Sequence, residues 1–153
     1  MRENDSERLS DSHKFLIIFE IKNFDRIRSR VKEAVNRKIE GYNCAQAVAC
    51  TYCDLAGMDE ETMKNITNAF GLGMGCTEGT CGSLVGAGVV LGLVRKDKAQ
   101  SMKDMKVIMS KFKERNGSTI CKELKGLETK KVLRACNDCV ADAAEFLEAQ
   151  IGE

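Results

Sequence analysis

The sequence predicts an all-α fold: one compact multi-helix domain with a glycine-rich loop between two of its helices. Three observations lead there. The 153-residue chain has no proline, whereas average usage of roughly 5% would give about eight. Apolar residues recur at helical spacing between capping residues and glycines. No stretch sustains the period-2 alternation of a half-buried strand.

Residues 1–13 are polar, hold the only histidine, His13, and are expected to be disordered. Residues 14–153 are then a single helical domain, long enough to bury a core. The first helix runs from Lys14 to about Glu40, with Phe24, Ile27, Val31 and Ala34 on one face and Gly41 as its stop. Asn43 is a good N-cap for a second helix through Ala56, closed by Gly57. Asp59 caps a third, with Met63, Ile66 and Phe70 on one face and Gly71 as its stop. The glycine loop follows, then a buried helix from about Thr80 to Val94.

Asp97 with Gln100 resembles a capping box for the next helix, whose face is Met102, Met105, Met109 and Phe112 and whose end is Gly117. Ser118 or Thr119 caps a short helix containing Cys121. Thr129 caps the last, with the stripe Val132, Cys136, Val140, Ala143 and Leu147. The long first helix is expected to pack against the body, where it offers a homodimer interface.

Composition excludes several classes of function. Net charge is +1 with 31% charged residues. The Lys and Arg are interspersed with Asp and Glu, so the sequence predicts no nucleic-acid partner. The apolar run Phe15–Phe19 is too short for a signal peptide or a membrane span, which predicts a cytoplasmic protein with no membrane association. In that reducing compartment, eight cysteines point to metal, cluster or redox chemistry ahead of a disulfide scaffold. With the lone histidine in the polar tail, no general base is identifiable, and a hydrolase is not expected.

Eight glycines crowd residues 70–93. Gly71, Gly73 and Gly75 suggest a phosphate loop, but no strand precedes them and no Gly-Lys-Ser/Thr follows. Gly82, Gly86, Gly88 and Gly92 give a smooth helix face for close packing, as small residues four apart do. That leaves the loop from Gly71 to Gly79 to be explained by close approach of backbone to an anionic centre.

The cysteines divide by position. Cys44 follows the N-cap Asn43, Cys81 falls in the first turn of the glycine helix, and Cys121 in the first turn of the short helix. A helix N-terminus stabilises a thiolate and lowers its pKa. Cys136 is expected mid-helix, facing the core, where it joins the other three at one site. Cys50, Cys53, Cys76 and Cys139 read as small buried hydrophobes. The pairs "CTYC" at 50–53 and "CNDC" at 136–139 have zinc spacing, but both are expected inside helices whereas zinc knuckles sit on turns. "CNDCV" also lacks the histidine of a c-type haem site.

"GYNCAQAV", "FGLGMG", "TCGSLVGA", "NGSTICKELKG" and "LRACNDCVADAAEFLE" together resemble the C_GCAxxG_C_C family of redox-active proteins. Its pattern is one Cys, a Cys-Gly-Ala-x-x-Gly motif and two later Cys. The resemblance runs from about Ile39 to Leu147 and selects Cys44, Cys81, Cys121 and Cys136. Ser83 stands where the motif has Ala, and the other four cysteines are additional. The resemblance implies redox chemistry with an electron-transfer partner protein.

Together these readings predict that Cys44, Cys81, Cys121 and Cys136 hold an iron–sulfur centre, for which four thiolates suffice. Gly73, Gly75, Gly79 and Gly82 would bring backbone N–H groups to its sulfurs. The alternatives are metal-free thiol–disulfide chemistry, structural zinc, or an interaction module using the Met-rich face of residues 102–112.

Overall fold

The computed structural model describes residues 10–152, without the side chains of residues 19–29. Residues 1–9 of the expected disordered tail, and Phe24 and Ile27 of the first helix's expected face, lie outside that description. Among the described residues there are seven α-helices and no strand beyond an isolated antiparallel bridge between Thr80 and Ile120. No helix there is long and apolar enough to cross a membrane.

Helix α1 (Asp11–Ile39) begins three residues before Lys14, because Ser10 caps it by accepting from the His13 amide. Its second half packs on the body through Ala34 and Arg30, and Arg30 bonds Asp54 at 2.7 Å. Phe15, Leu16, Ile17 and Ile18 in the first half are exposed.

Helix α2 (Cys44–Thr51) is buried along its whole length. Asn43 and Gln46 form a full capping box at its start. It ends five residues short of Ala56, because the chain leaves it through turns that bond Leu55 to Tyr52 and Met58 to Cys53. Cys53 therefore lies beyond the helix. Asp59 caps α3 (Glu60–Ile66), which ends before Phe70 and leaves Ile66 exposed.

Helix α4 (Gly82–Arg95) lies directly on α2, and a Cβ at Gly86 would sit 2.5 Å from the Ala45 carbonyl oxygen. Only glycine permits that approach. Asp97 caps α5 (Lys98–Asn116), but the inward face is Asp104, Ile108, Phe112 and Asn116. Met102 is 65% exposed, while Met105 and Met109 are only partly covered. Asp104 is the anchor: it accepts from Arg95, Gln100 and Gln150, tying α4 and α5 to α7 (Cys136–Ile151). Of the expected stripe, Phe112 is buried and Met105 and Met109 pack partly against the core, whereas Met102 is turned out and Asp104, a buried, fully bonded carboxylate, takes an inward position.

Two corrections concern the last third of the chain. Helix α6 (Cys121–Lys125) is entered from Ile120, and Ser118 acts one step earlier, accepting from the Ile120 amide. Helix α7 begins at Cys136, seven residues after Thr129. Thr129 bonds the Lys131 amide instead of capping a helix, and Lys130 has φ +63°. The Leu133 and Arg134 amides both bond back to the Leu124 carbonyl. Val132 is consequently 62% exposed, whereas Val140, Ala143 and Leu147 are buried as the stripe requires.

Candidate functional site: a cysteine-lined cavity

Four helices begin at or beside the expected cysteines. Cys44, Cys121 and Cys136 are the first residues of α2, α6 and α7, and Cys81 is the N-cap of α4. The expectation that Cys136 sits mid-helix is therefore corrected, and it joins the other three at a helix start.

Local interactions bring these starts together. The Asn43 side chain caps α2 and donates to the Thr67 and Asn68 carbonyls, fixing Cys44. A Cβ on Gly82 would lie 3.2 Å from the Cys44 Cβ, so α4 begins against α2. The Cys81 amide bonds the Thr119 carbonyl at 2.8 Å, and the Cys121 amide bonds the Gly79 carbonyl at 3.0 Å. These bonds hold the α4 and α6 starts side by side. The return of Leu133 and Arg134 to Leu124 then delivers Cys136.

The glycine loop is the clamp on this arrangement. Leu72, Gly73, Met74 and Gly75 all have left-handed φ, from +51° to +77°, closed by a 2.9 Å bond from the Gly75 amide to the Gly71 carbonyl. Left-handed backbone costs roughly 1–2 kcal/mol for each non-glycine residue, so alternate glycines halve the strain. Gly73 has a second role, since a Cβ there would fall 2.5 Å from the Cys121 Cβ. Of the four glycines expected to face a cofactor, Gly82 lines the cavity and Gly73, Gly75 and Gly79 do not. The Gly75 and Gly79 amides bond carbonyls within the loop, at Gly71 and Gly73.

A cavity of about 130 Å³ opens where the helix starts meet. Cys44, Cys81, Cys121 and Cys136 line it together with Cys139, which sequence reasoning had assigned to inert packing. The signal for Cys139 was present, because C-x-x-C at a helix start puts both sulfurs on one face. Cys50, Cys53 and Cys76 lie elsewhere. Lys38, Lys125 and Arg134 contribute cationic walls.

The sulfurs act on one another in two pairs. The neighbouring Cys44, with help from Lys125, draws the Cys136 thiol down to about 5 against the opposing effect of burial. The same neighbour relation, with burial, pushes Cys44 up. Cys139, whose thiol donates to the Arg134 carbonyl at 3.8 Å, is the main influence lowering Cys81 to about 7. The Ser83 hydroxyl, 3.0 Å from the Cys81 sulfur, and the Ser83 and Leu84 amides assist. Cys139 is pushed up by Cys81 and by burial. Burial also raises Cys121. Each pair thus joins a thiolate to a thiol, at helix starts whose partial positive charge favours the anion.

Soft thiolate donors beside cations suit an iron–sulfur centre in chemical type. Their disposition does not match: no group of three or more Cys, His, Asp or Glu among the described residues is arranged to hold a metal ion. Two dithiol pairs are the arrangement present.

The class of molecule defined by the fold and site is an all-α domain that converges five cysteines on one cavity. The chain is a member of the C_GCAxxG_C_C family, whose description is "Putative redox-active protein (C_GCAxxG_C_C)" and whose family model matches residues 42–150. Comparison with curated proteins and with solved structures returns no match.

Proposed function

We propose that the protein is a dithiol–disulfide redox protein in which Cys136 is the attacking thiolate and Cys44 the resolving thiol. The observation that carries this reading is the Cys44–Cys136 pair, with its pKa values driven apart and Lys125 beside the anion. Cys136 is half-buried and within reach of a substrate, whereas Cys44 is buried, the division of labour that attack and resolution require.

In the forward direction the Cys136 thiolate attacks a substrate disulfide, forming a mixed disulfide and releasing one substrate thiolate. Cys44 then attacks the Cys136 sulfur, displaces the second substrate sulfur and passes its proton to it. Two electrons leave the protein as the Cys44–Cys136 disulfide forms. Cys81 and Cys139 form a second pair able to act in the same way. A redox partner protein completes the cycle by reducing the disulfide.

An iron–sulfur centre on Cys44, Cys81, Cys121 and Cys136 is the second reading, favoured by the presence of all four in one cation-walled cavity. It requires the sulfurs to close in from their pairs. One preparation tests both readings. Protein purified without oxygen is expected to carry no iron or zinc and no visible absorbance. Mild oxidation followed by peptide mapping is expected to yield a Cys44–Cys136 disulfide. Stoichiometric iron and sulfide with a visible chromophore lost in Cys121→Ser overturns the dithiol reading.

A further inference from the structure

The walls of the cavity carry a charge pattern that thiol chemistry alone does not require. No Asp or Glu lines it, whereas Lys38, Lys125 and Arg134 all do. Two of these cations are already engaged. Arg134 is bonded to Asp142 at 3.0 and 3.1 Å, and Lys125 is the cation that acts most on the Cys136 sulfur. Lys38, in the last turn of α1, is half-buried at the cavity wall, and its ammonium has no hydrogen bond or ion pair among the described residues. The site's own anions are answered without it: Lys125 and Cys44 face the Cys136 sulfur, and Cys139 and Ser83 face that of Cys81. Lys38 acts on Cys44 and Cys136 only through its charge. A half-buried ammonium with no fixed hydrogen-bond partner beside the attacking thiolate is free to pair with an anion that a substrate brings.

We propose that the cavity takes a small disulfide bearing carboxylates near its sulfurs, with Lys38 as the group that reads their negative charge. This rests on the dithiol reading above and names its substrate class. A low-molecular-weight substrate fits because the space is about 130 Å³ and four of its five sulfurs, those of Cys44, Cys81, Cys121 and Cys139, are buried. That space is several times the roughly 10–15 Å³ that admits one water molecule, enough for a disulfide and its flanking atoms. The electron count is that of the exchange already written: the substrate disulfide gains two electrons, leaves as two thiols, and the Cys44–Cys136 bond forms. Lys38 is placed to hold a carboxylate of the incoming disulfide while Cys136 attacks its near sulfur. A carboxylate brought to about 6 Å from an ammonium is favoured about three- to tenfold at effective dielectrics from that of water to half of it.

The test uses the reduced full-length chain and three symmetrical disulfides that differ in charge: dithiodiglycolate, 2-hydroxyethyl disulfide and cystamine. Second-order rates at pH 7 are divided by each disulfide's rate with free 2-mercaptoethanol, which removes leaving-group differences. The anionic probe is expected to outrun the cationic one by about tenfold or more after this correction, a preference that 0.5 M salt largely removes. Lys38→Gln is expected to lower the anionic-to-cationic ratio about three- to tenfold, whereas Lys103→Gln, on the exposed face of α5, leaves it unchanged. A corrected ratio of one or below, or one that Lys38→Gln and salt leave intact, overturns the inference while sparing the dithiol reading. A protein whose cavity thiols react with none of the three overturns both. Should Lys38→Gln fail to fold, the salt dependence of the wild-type ratio decides alone.

Discussion

Cys136 and Cys139 open a helix, whereas Cys50 and Cys53 close one. The two C-x-x-C pairs have the same spacing and opposite fates. At the start of α7 the Cys44 thiol and the Lys125 ammonium meet Cys136, and its pKa falls to about 5 against the opposing effect of burial, in the direction that the positive end of the helix dipole also favours. Near the end of α2 the dipole is reversed. Burial, aided by the Glu60 carboxylate, pushes Cys50 up to about 11 and raises Cys53 as well. Cys50 donates to the Glu60 carbonyl, as a neutral thiol does. Spacing says that two sulfurs share a face; the groups that meet each sulfur say which is a nucleophile, since Cys44, Cys121 and Cys139 also stand at helix starts and are pushed up.

The largest expected effect is in the pH dependence of alkylation. A lowered pKa means that Cys136 is a thiolate at neutral pH and loses reactivity only as pH falls through about 5. A raised pKa means that Cys50 gains reactivity only as pH climbs towards about 11. At pH 7 the thiolate fractions differ by about four orders of magnitude, of which the weaker nucleophilicity of a low-pKa thiolate cancels about two to three. Cys136 is therefore expected to react with iodoacetamide at least about tenfold faster than Cys50, as read by mass spectrometry of timed quenches. Equal rates, or a Cys136 inflection near the ordinary value of about 8.5, break the comparison.

The partners of Cys136 come next. Cys44→Ala removes the neighbour that contributes most to its low pKa, and Lys125→Met removes the adjacent cation. Cys44→Ala is expected to raise the inflection by about one to two units and Lys125→Met by about one. Cys53→Ala is expected to leave Cys50 within a few tenths of a unit, since burial dominates there. A shift at Cys50 as large as that at Cys136 would make the two ends of the comparison alike.

Much of this site was legible before any coordinates. Asn43, Asp59 and Asp97 announce their helices because a short polar side chain before an apolar run has one good use, and each does cap. Cys44 follows from the first of those starts, and Cys81 and Cys121 from the helices expected to open near Thr80 and after Gly117. Cys136 was misplaced because Thr129 is as good a cap on paper as Asn43. What decides against it is tertiary: Leu133 and Arg134 bond back to Leu124, and Lys130 turns left-handed. The stripe Cys139, Val140, Ala143, Ala144, Leu147 needs nothing upstream of Cys136, and its completeness was the unused clue. Met102 was misplaced for a related reason. Asp104 looks like a surface residue until Arg95, Gln100 and Gln150 converge on it; Gln100 is one helical turn away, but Gln150 lies 46 residues on and leaves no local trace.

Ser83 separates the motif from its tuning. It occupies the Ala position of Cys-Gly-Ala-x-x-Gly, is fully buried, and places its hydroxyl 3.0 Å from the Cys81 sulfur. Ser83→Ala restores the family residue and removes one of the bonds holding Cys81 near 7. The Cys81 inflection is expected to rise by about half to one unit, while Cys136, held by other partners, stays in place. A shift at both would mean that the two dithiol pairs titrate as one unit.

The smallest effect tests why the pair at the end of α2 is silent. Glu60 is the chief charge raising Cys50 and Cys53, and it is itself held below the usual carboxylate range by Arg37 and Tyr42. If charge kept Cys50 neutral, Glu60→Gln would turn this pair into a second reactive one. Burial is the larger cause, and Cys50 is 1% exposed. Removing the carboxylate leaves the Arg37 cation, which itself favours the thiolate, so both changes move the thiol down, but with burial unchanged the drop is less than about one unit. The alkylation inflection is expected to remain above about 10, with no disulfide between Cys50 and Cys53 under oxidation that closes Cys44 to Cys136. A drop of two units or more would show that a single carboxylate, and not position on the helix and burial, separates the two C-x-x-C pairs.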